Sequence, residues 1–298
     1  MKHSNSRLAS GLLAGLLLLL SPSLLRAQAS EGDEGEGVTD PSAPLETPRV
    51  LKRAQKQLEE KQWALASIGF HSTIEKEDAS FVSESRFYLA ICLENMELPY
   101  SALEEYNRYF EGVDPGDAHI PDALQSAVNL ARRLDAGFII APGLSRLDTS
   151  AVTAGFRGPA MFWVGEHHLR QFNFAPALAY LALVPRDTEY YARARMLEGI
   201  VLTHPANAQR NPALAIAPLA ASLAAADRQA ADSTEWEVIN LNLARTYFAL
   251  GNFERAIEHF ERTPRSSALW HESLYEAAWA YFRLGRLSGA LSHLQTVD

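Results

Sequence analysis

Apolar, aromatic and small residues recur in register along the last sixty residues of the chain. Leu243-Ala244, Tyr247-Phe248, Leu250-Gly251, Ala256-Ile257 and Phe260 form one set. Ala277-Ala278, Tyr281-Phe282, Leu284-Gly285, Ala290-Leu291 and Leu294 form the next. Ala256 recurs as Ala290, Tyr247 as Tyr281 and Gly251 as Gly285, all at one constant interval. Within each set the spacing is helical, with apolar residues three and four apart. Each set therefore predicts two amphipathic helices joined at a glycine, which takes the positive φ that ends the first helix. The small residues, Ala244 with Ala256 and Ala278 with Ala290, sit where the two helices cross. The aromatic residues fill the space between pairs.

This pattern closely resembles the tetratricopeptide repeat, and its interval equals the period of that family. The template extends upstream. Gly165 and Ala177 are the small pair in a unit between Pro159 and Pro185, and Gly199 and Ala215 in a unit between Tyr190 and Ala226. That second unit carries an unusually long turn at 205–212. Ala90 with Ala102, and Ala54 with Ala66, mark two earlier units, the first opened by Thr47-Pro48. The expected fold is all-α, a superhelical solenoid of about six helical hairpins. Each hairpin leaves an apolar face that only a neighbouring hairpin covers.

The expected organisation has a leader at 1–29, an acidic disordered linker at 30–47 and hairpins at 48–111. A helix plus an irregular insert follows at 112–158, and further hairpins at 159–298. The helix spans 120–135. The stretch 137–158 holds Pro142, Gly143, Gly155 and Gly158 and shows no clear period, so it reads as an insert crossing the groove or as a break between two sub-arrays, the insert being favoured. The C-terminal hairpins are expected to continue past the last residue given, or else to end on an uncapped apolar side that supports end-to-end association.

Lys2 and Arg7 precede an apolar run at 8–20, and Ala27-Gln28-Ala29 follows as a cleavage site. The run is shorter than the roughly 20 residues a membrane helix needs. A cleaved signal peptide is the expectation, with no integral membrane segment afterwards. The segment that follows, with EGDEGEG, Pro41 and Pro44, buries too little apolar surface to order.

The chain of 298 residues is 47% hydrophobic, with 27 basic and 36 acidic residues. Removing Lys2, Arg7 and Arg26 with the leader leaves 24 basic residues against the same 36 acidic ones, a formal −12. Such a chain repels phosphate backbones, so nucleic acid is not an expected partner. Its single cysteine, Cys92, excludes an internal disulfide and reads as a small buried residue.

Candidate chemistry is sparse. The pair His167-His168 points about 100° apart on a helix, so the two rings do not converge on one metal. His259 and His293 hold the same place in consecutive repeats and read as part of a solvated second-helix face. Glu104-Glu105 and Glu59-Glu60 read as solvated charges. Gly143-Leu144-Ser145 lacks the second glycine of a nucleophile elbow, and no glycine-rich phosphate loop is present. No catalytic residue, cofactor or metal site is expected.

What the resemblance implies is protein or peptide binding along a concave groove lined by the first helices. Carried onto this chain, the groove positions are Phe162, Glu166, Leu169 and Arg170, then Leu241, Arg245, Phe248 and Ala249, then Tyr275, Trp279, Phe282 and Arg283. Aromatic residues with arginine are the usual composition of interface hot spots. The expected role is a non-catalytic scaffold in the periplasm, serving a cell-envelope machine. The alternatives are the helical portion of a wall-processing enzyme and a ligand-sensing module.

Overall fold

The structure, a computed structural model, describes residues 48–76, 79–226 and 234–297. The expected leader and acidic linker lie outside the described residues. Among the described residues there are fourteen helices and no strand. They are α1 (Arg49–Glu59), α2 (Trp63–Glu75), α3 (Ala79–Asn95), α4 (Pro99–Gly112), α5 (Ile120–Leu134), α6 (Gly137–Leu144) and α7 (Ala154–Arg170). After these come α8 (Phe174–Ala182), α9 (Tyr191–Thr203), α10 (Pro212–Ala226), α11 (Thr234–Ala249), α12 (Phe253–Phe260), α13 (Trp270–Arg283) and α14 (Leu287–Val297). Every helix packs on its neighbours in sequence, and first helices also touch the next first helix, as α7 touches α9 and α9 touches α11. No described helix is long and apolar enough to cross a membrane.

The small residues are where the pattern put them. Ala54, Ala66, Ala90, Ala102, Ala177, Ala215, Ala244, Ala256, Ala278 and Ala290 are all buried. Gly165 and Gly199 show why size matters at a crossing. A methyl group on Gly165 would stand 2.7 Å from Leu181 Cγ, and one on Gly199 would stand 2.4 Å from Leu219 Cγ. Leu181 and Leu219 each lie one turn beyond the buried alanine of their own helix, so both crossings use the same knob and the same hole.

The turn inside each pair also repeats. Gly251 and Gly285 take φ of +76° and +71° after α11 and α13. The same left-handed place is held by Lys61, Glu97, Asp135 and Phe172 in four earlier pairs. The pair α9–α10 differs, with an eight-residue connection at 204–211. Buried Asn207 holds that loop down. Its Nδ2 donates to Val201 O at 2.9 Å, and its Oδ1 accepts from Gln209 N at 3.0 Å.

The stretch 137–158 departs from expectation. It is not an irregular insert but contains the second helix of a seventh pair, α5–α6, with α7 starting five residues before Pro159. α6 packs against α4, α5 and α7. Gly143 N donates to the Asn107 Oδ1 of α4 at 2.7 Å. A helix enclosed on most sides carries no polar stripe, so its period is unreadable from sequence. Among the described residues the fourteen helices thus make seven pairs, where about six were expected.

Candidate partner-binding lane along α11 and α13

α11 and α13 lie one repeat apart, and their side chains meet through one arginine. Arg245 of α11 donates from Nε to both Glu276 oxygens, at 2.8 and 3.0 Å, and from Nη2 to Glu272. Both acids are one turn apart on α13, so a single guanidinium bridges them. The Glu276 hydrogen bond is the main reason the Arg245 pKa is raised above the ordinary guanidinium value.

Beyond this bridge the surface turns aromatic. Tyr275, Trp279 and Phe282 follow helical spacing along α13 and stack edge to face. The ring centroids are 6.4 Å apart for Tyr275–Trp279 and 5.9 Å for Trp279–Phe282. Phe248 of α11 packs on Phe253 at 5.3 Å. All three α13 aromatics are exposed.

Three hollows run in series along these helices. The first, about 530 Å³, is lined by Thr203, Arg210, Pro212, Asn242, Arg245, Thr246 and Ala249. The second, about 400 Å³, is lined by Arg245, Phe248, Phe260, Glu276 and Trp279. The third, about 350 Å³, lies among Tyr275, Ala278, Trp279, Phe282, Ala290 and Leu294. Arg245 belongs to the first two and Trp279 to the last two, so the hollows form one lane. Its first third is polar and its last third apolar.

The structure thus brings together Arg245, Phe248, Tyr275, Trp279 and Phe282. Arg283 turns away, with its guanidinium 4.8 Å from the centroid of the Phe253 ring. Phe162 does not line a groove. It is 2% exposed, packed on Tyr190 at 5.2 Å and beneath the Arg193 guanidinium at 4.9 Å. The following pair closes over it, which the sequence position of Phe162 does not reveal. Leu241 is buried in the same way, under α13. Arg170 is exposed but pairs with Glu166 on its own helix α7 and lies off the lane. Asn242, Thr246, Arg210 and Glu276 join the lane without being marked by the repeat template. Asn242 and Thr246 could have been found as polar residues one turn apart on α11, and Glu276 by its spacing from Glu272.

His259 is not on a solvated face. It is buried, stacks on Tyr247 at 5.5 Å and hydrogen-bonds Asn240 through Nδ1 at 3.0 Å. His293 repeats the arrangement on Tyr281 at 4.8 Å. Glu105 is likewise not free in solvent but pairs with Arg86 of α3 at 2.9 Å. Burial pushes the Cys92 thiol up to about 12, which keeps it protonated. Burial lowers the pKa values of His167 and His168, and His168 stacks on Tyr180. No group of three or more His, Cys, Asp or Glu residues able to hold a metal occurs among the described residues.

Residues 239–262, which cover most of α11 and all of α12, match the tetratricopeptide repeat family model. The class defined by fold and repeat is an all-α solenoid of tetratricopeptide type. Similar solved structures include the C-terminal part of a TPR repeat-containing protein from Cytophaga hutchinsonii. It is 15% identical, with TM-score 0.44, over 83% of this chain and 95% of that one. BtubC (BKLC) from P. vanneervenii is 13% identical, with TM-score 0.43, over 84% and 88%. A tetratricopeptide repeat protein from Parabacteroides merdae is 14% identical, with TM-score 0.35, over 83% and 90%. No curated protein matches the chain.

Proposed function

We propose that this protein is a non-catalytic scaffold of the cell envelope that holds a protein partner along the α11–α13 lane. The observation that carries the proposal is the continuity of the three hollows through Arg245 and Trp279. A lane that passes from arginine and asparagine to tryptophan and phenylalanine suits a peptide with a polar end and bulky apolar side chains at the other. Interface energy concentrates on such aromatic and arginine residues. Arg210 has no acidic partner among the described residues, which leaves its charge available to a ligand.

The expected location is the periplasm, after removal of the leader at 1–29. The basic start, the leucine run and Ala27-Gln28-Ala29 support that reading. Amino-terminal sequencing of the protein recovered from the envelope fraction should begin at Ser30, and an uncleaved Met1 would refute export by this route.

The function is tested by capture of envelope proteins on the immobilised chain without its leader. Replacing Phe248 with alanine or Arg210 with glutamate should release the captured partner while leaving the helical circular dichroism unchanged. A partner retained by both variants would place its binding elsewhere on the molecule.

A further inference from the structure

The first pair, α1–α2, carries its charges unlike the rest of the array. Residues 48–76 hold six basic and three acidic residues, whereas the described residues from 79 on hold 17 and 22. Four of the six, Arg49, Lys52, Arg53 and Lys56, follow the spacing of one helix face along α1, and all four are exposed. Lys56 pairs with Glu60 at 3.8 Å, with both side chains open to solvent. Arg49, Lys52 and Arg53 have no acidic partner among the described residues. Exposed aliphatic residues lie beside this stripe. Leu65 and Ile68 of α2 are 52% and 65% exposed. They hold the same offsets from buried Ala66 that Arg53 and Lys56 hold from buried Ala54. In an antiparallel pair, equal offsets from the crossing point to the same side, so these four side chains share the side turned away from α3. The side toward α3 is apolar and closed, with Leu51 and Phe70 buried against Leu89 and Cys92.

We propose that this side of α1–α2 docks on an anionic lipid surface, with the four cations on the headgroups and Leu65 and Ile68 entering between them. The inference goes beyond the scaffold reading by tethering the array at one end, and it uses no residue of the lane.

Three observations separate this surface from a merely solvated end of the array. First, a terminal repeat needs a polar outer face, and either sign of charge supplies one. Here a single sign occupies the stripe, in a chain that is acidic elsewhere. Glu59 and Glu60 lie past it, at the end of the helix. Second, the placement works against the helix. Arg49 and Lys52 stand in the first turn of α1, where the helix dipole favours acids, and no acidic residue is there. Third, Leu65 and Ile68 break the pattern of other second helices. The same offsets hold Arg255 and Glu258 in α12, paired at 3.2 Å, and Ser101 and Glu104 in α4. Solubility does not call for leucine and isoleucine at such places. Cations beside exposed aliphatic side chains match a lipid surface, which is anionic at its headgroups and apolar just beneath them. A nucleic acid offers the anions without the apolar layer, and the acidic remainder of the chain repels it.

The test is flotation of the full chain without its leader on vesicles of phosphatidylglycerol and, in parallel, of phosphatidylcholine. Binding to the anionic vesicles alone is expected, with release at high salt. Lys52→Gln combined with Arg53→Gln should weaken that binding about fivefold per charge removed. Leu65→Ser combined with Ile68→Ser should also weaken it, while leaving its dependence on salt unchanged. All four positions are exposed, so the circular dichroism of both variants should match the parent chain. No flotation with phosphatidylglycerol, equal flotation with phosphatidylcholine, or full binding by the Lys52→Gln, Arg53→Gln chain would each overturn the docking surface. That chain should still capture the protein partner of the lane. A parent chain that captures a partner but never floats would sink the lipid surface alone. One that floats but captures nothing would count against the lane alone.

Discussion

The Nδ1 atom of His259 lies 3.0 Å from the Oδ1 of Asn240, and both side chains are buried between α11 and α12. Asn240 Nδ2 donates to Trp236 O at 3.0 Å, which leaves its Oδ1 to accept from the histidine. The Tyr247 ring covers one face of the imidazole. The imidazole therefore has one saturated nitrogen and little access to water. Burial is the main cause that lowers its pKa, to about 4, and the nearby Arg262 adds to it, against an opposing pull from Glu258.

This depression predicts acid sensitivity of the α11–α12 pair. Below about pH 6.5 the unfolded histidine binds a proton that the folded one refuses. Stability should therefore fall as the pH drops from about 6.5 to 4, by up to about 3 kcal/mol, and level off below that. Thermal unfolding followed across this range should show a shallower slope in His259→Gln than in the parent protein. Equal slopes would mean that His259 does not control the transition.

Gly199 separates packing from helix propensity. Replacing a mid-helix glycine with alanine ordinarily stabilises a helix by about 1 kcal/mol. Here the new methyl would stand 2.4 Å from Leu219 Cγ, which is a branch point and not a mobile tip. Overpacking of this kind costs about 1–3 kcal/mol, so Gly199→Ala is expected to destabilise. A urea midpoint that rises would show that α9 and α10 can part without penalty.

The left-handed turns give a matched pair of substitutions. Gly251 has φ of +76° with open space around its Cβ position, so Gly251→Ala tests backbone conformation alone. It should cost about 1 kcal/mol. Glu97 has φ of +60° in the equivalent turn, and Glu97→Gly should gain a smaller amount, because glycine also loosens the unfolded chain. Chemical denaturation of both variants, if they moved in the same direction, would contradict the shared turn geometry.

Asn207 is the plug of the long connection between α9 and α10. Asn207→Ala removes the side-chain hydrogen bonds to Val201 O, which still accepts from His204 N, and from Gln209 N, which solvent reaches. A loss of about 1 kcal/mol is expected from the lost hydrogen bonds. Hydrogen exchange should quicken first in 204–211, and uniform quickening across all helices would argue against a local role.

Much of the architecture was legible in the chain itself, because stacked pairs impose the same demand in every repeat. Ala244, Ala256, Ala278 and Ala290 had to be small at the crossings, and Gly251 and Gly285 had to turn left-handed. These demands are local, so they appear as letters at fixed spacing. The lane residues Arg245, Trp279 and Phe282 were legible for the same reason, as they share the register of the repeat.

Other features arise only when distant segments meet. The burial of Phe162 depends on Tyr190 and Arg193 arriving from the next pair. α6 has no readable period because α4, α5 and α7 enclose it. His259 looks like a surface residue in its own helix and becomes a core residue once Asn240 and Tyr247 reach it. The exposure of Tyr275, where Leu241 is covered, likewise depends on which helix lies above. A repeated sequence thus dictates which residues face a neighbour, since helix geometry sets that locally. Whether the neighbour is there, and what it brings, is decided by contacts between residues far apart along the chain, and those exist only in the folded array.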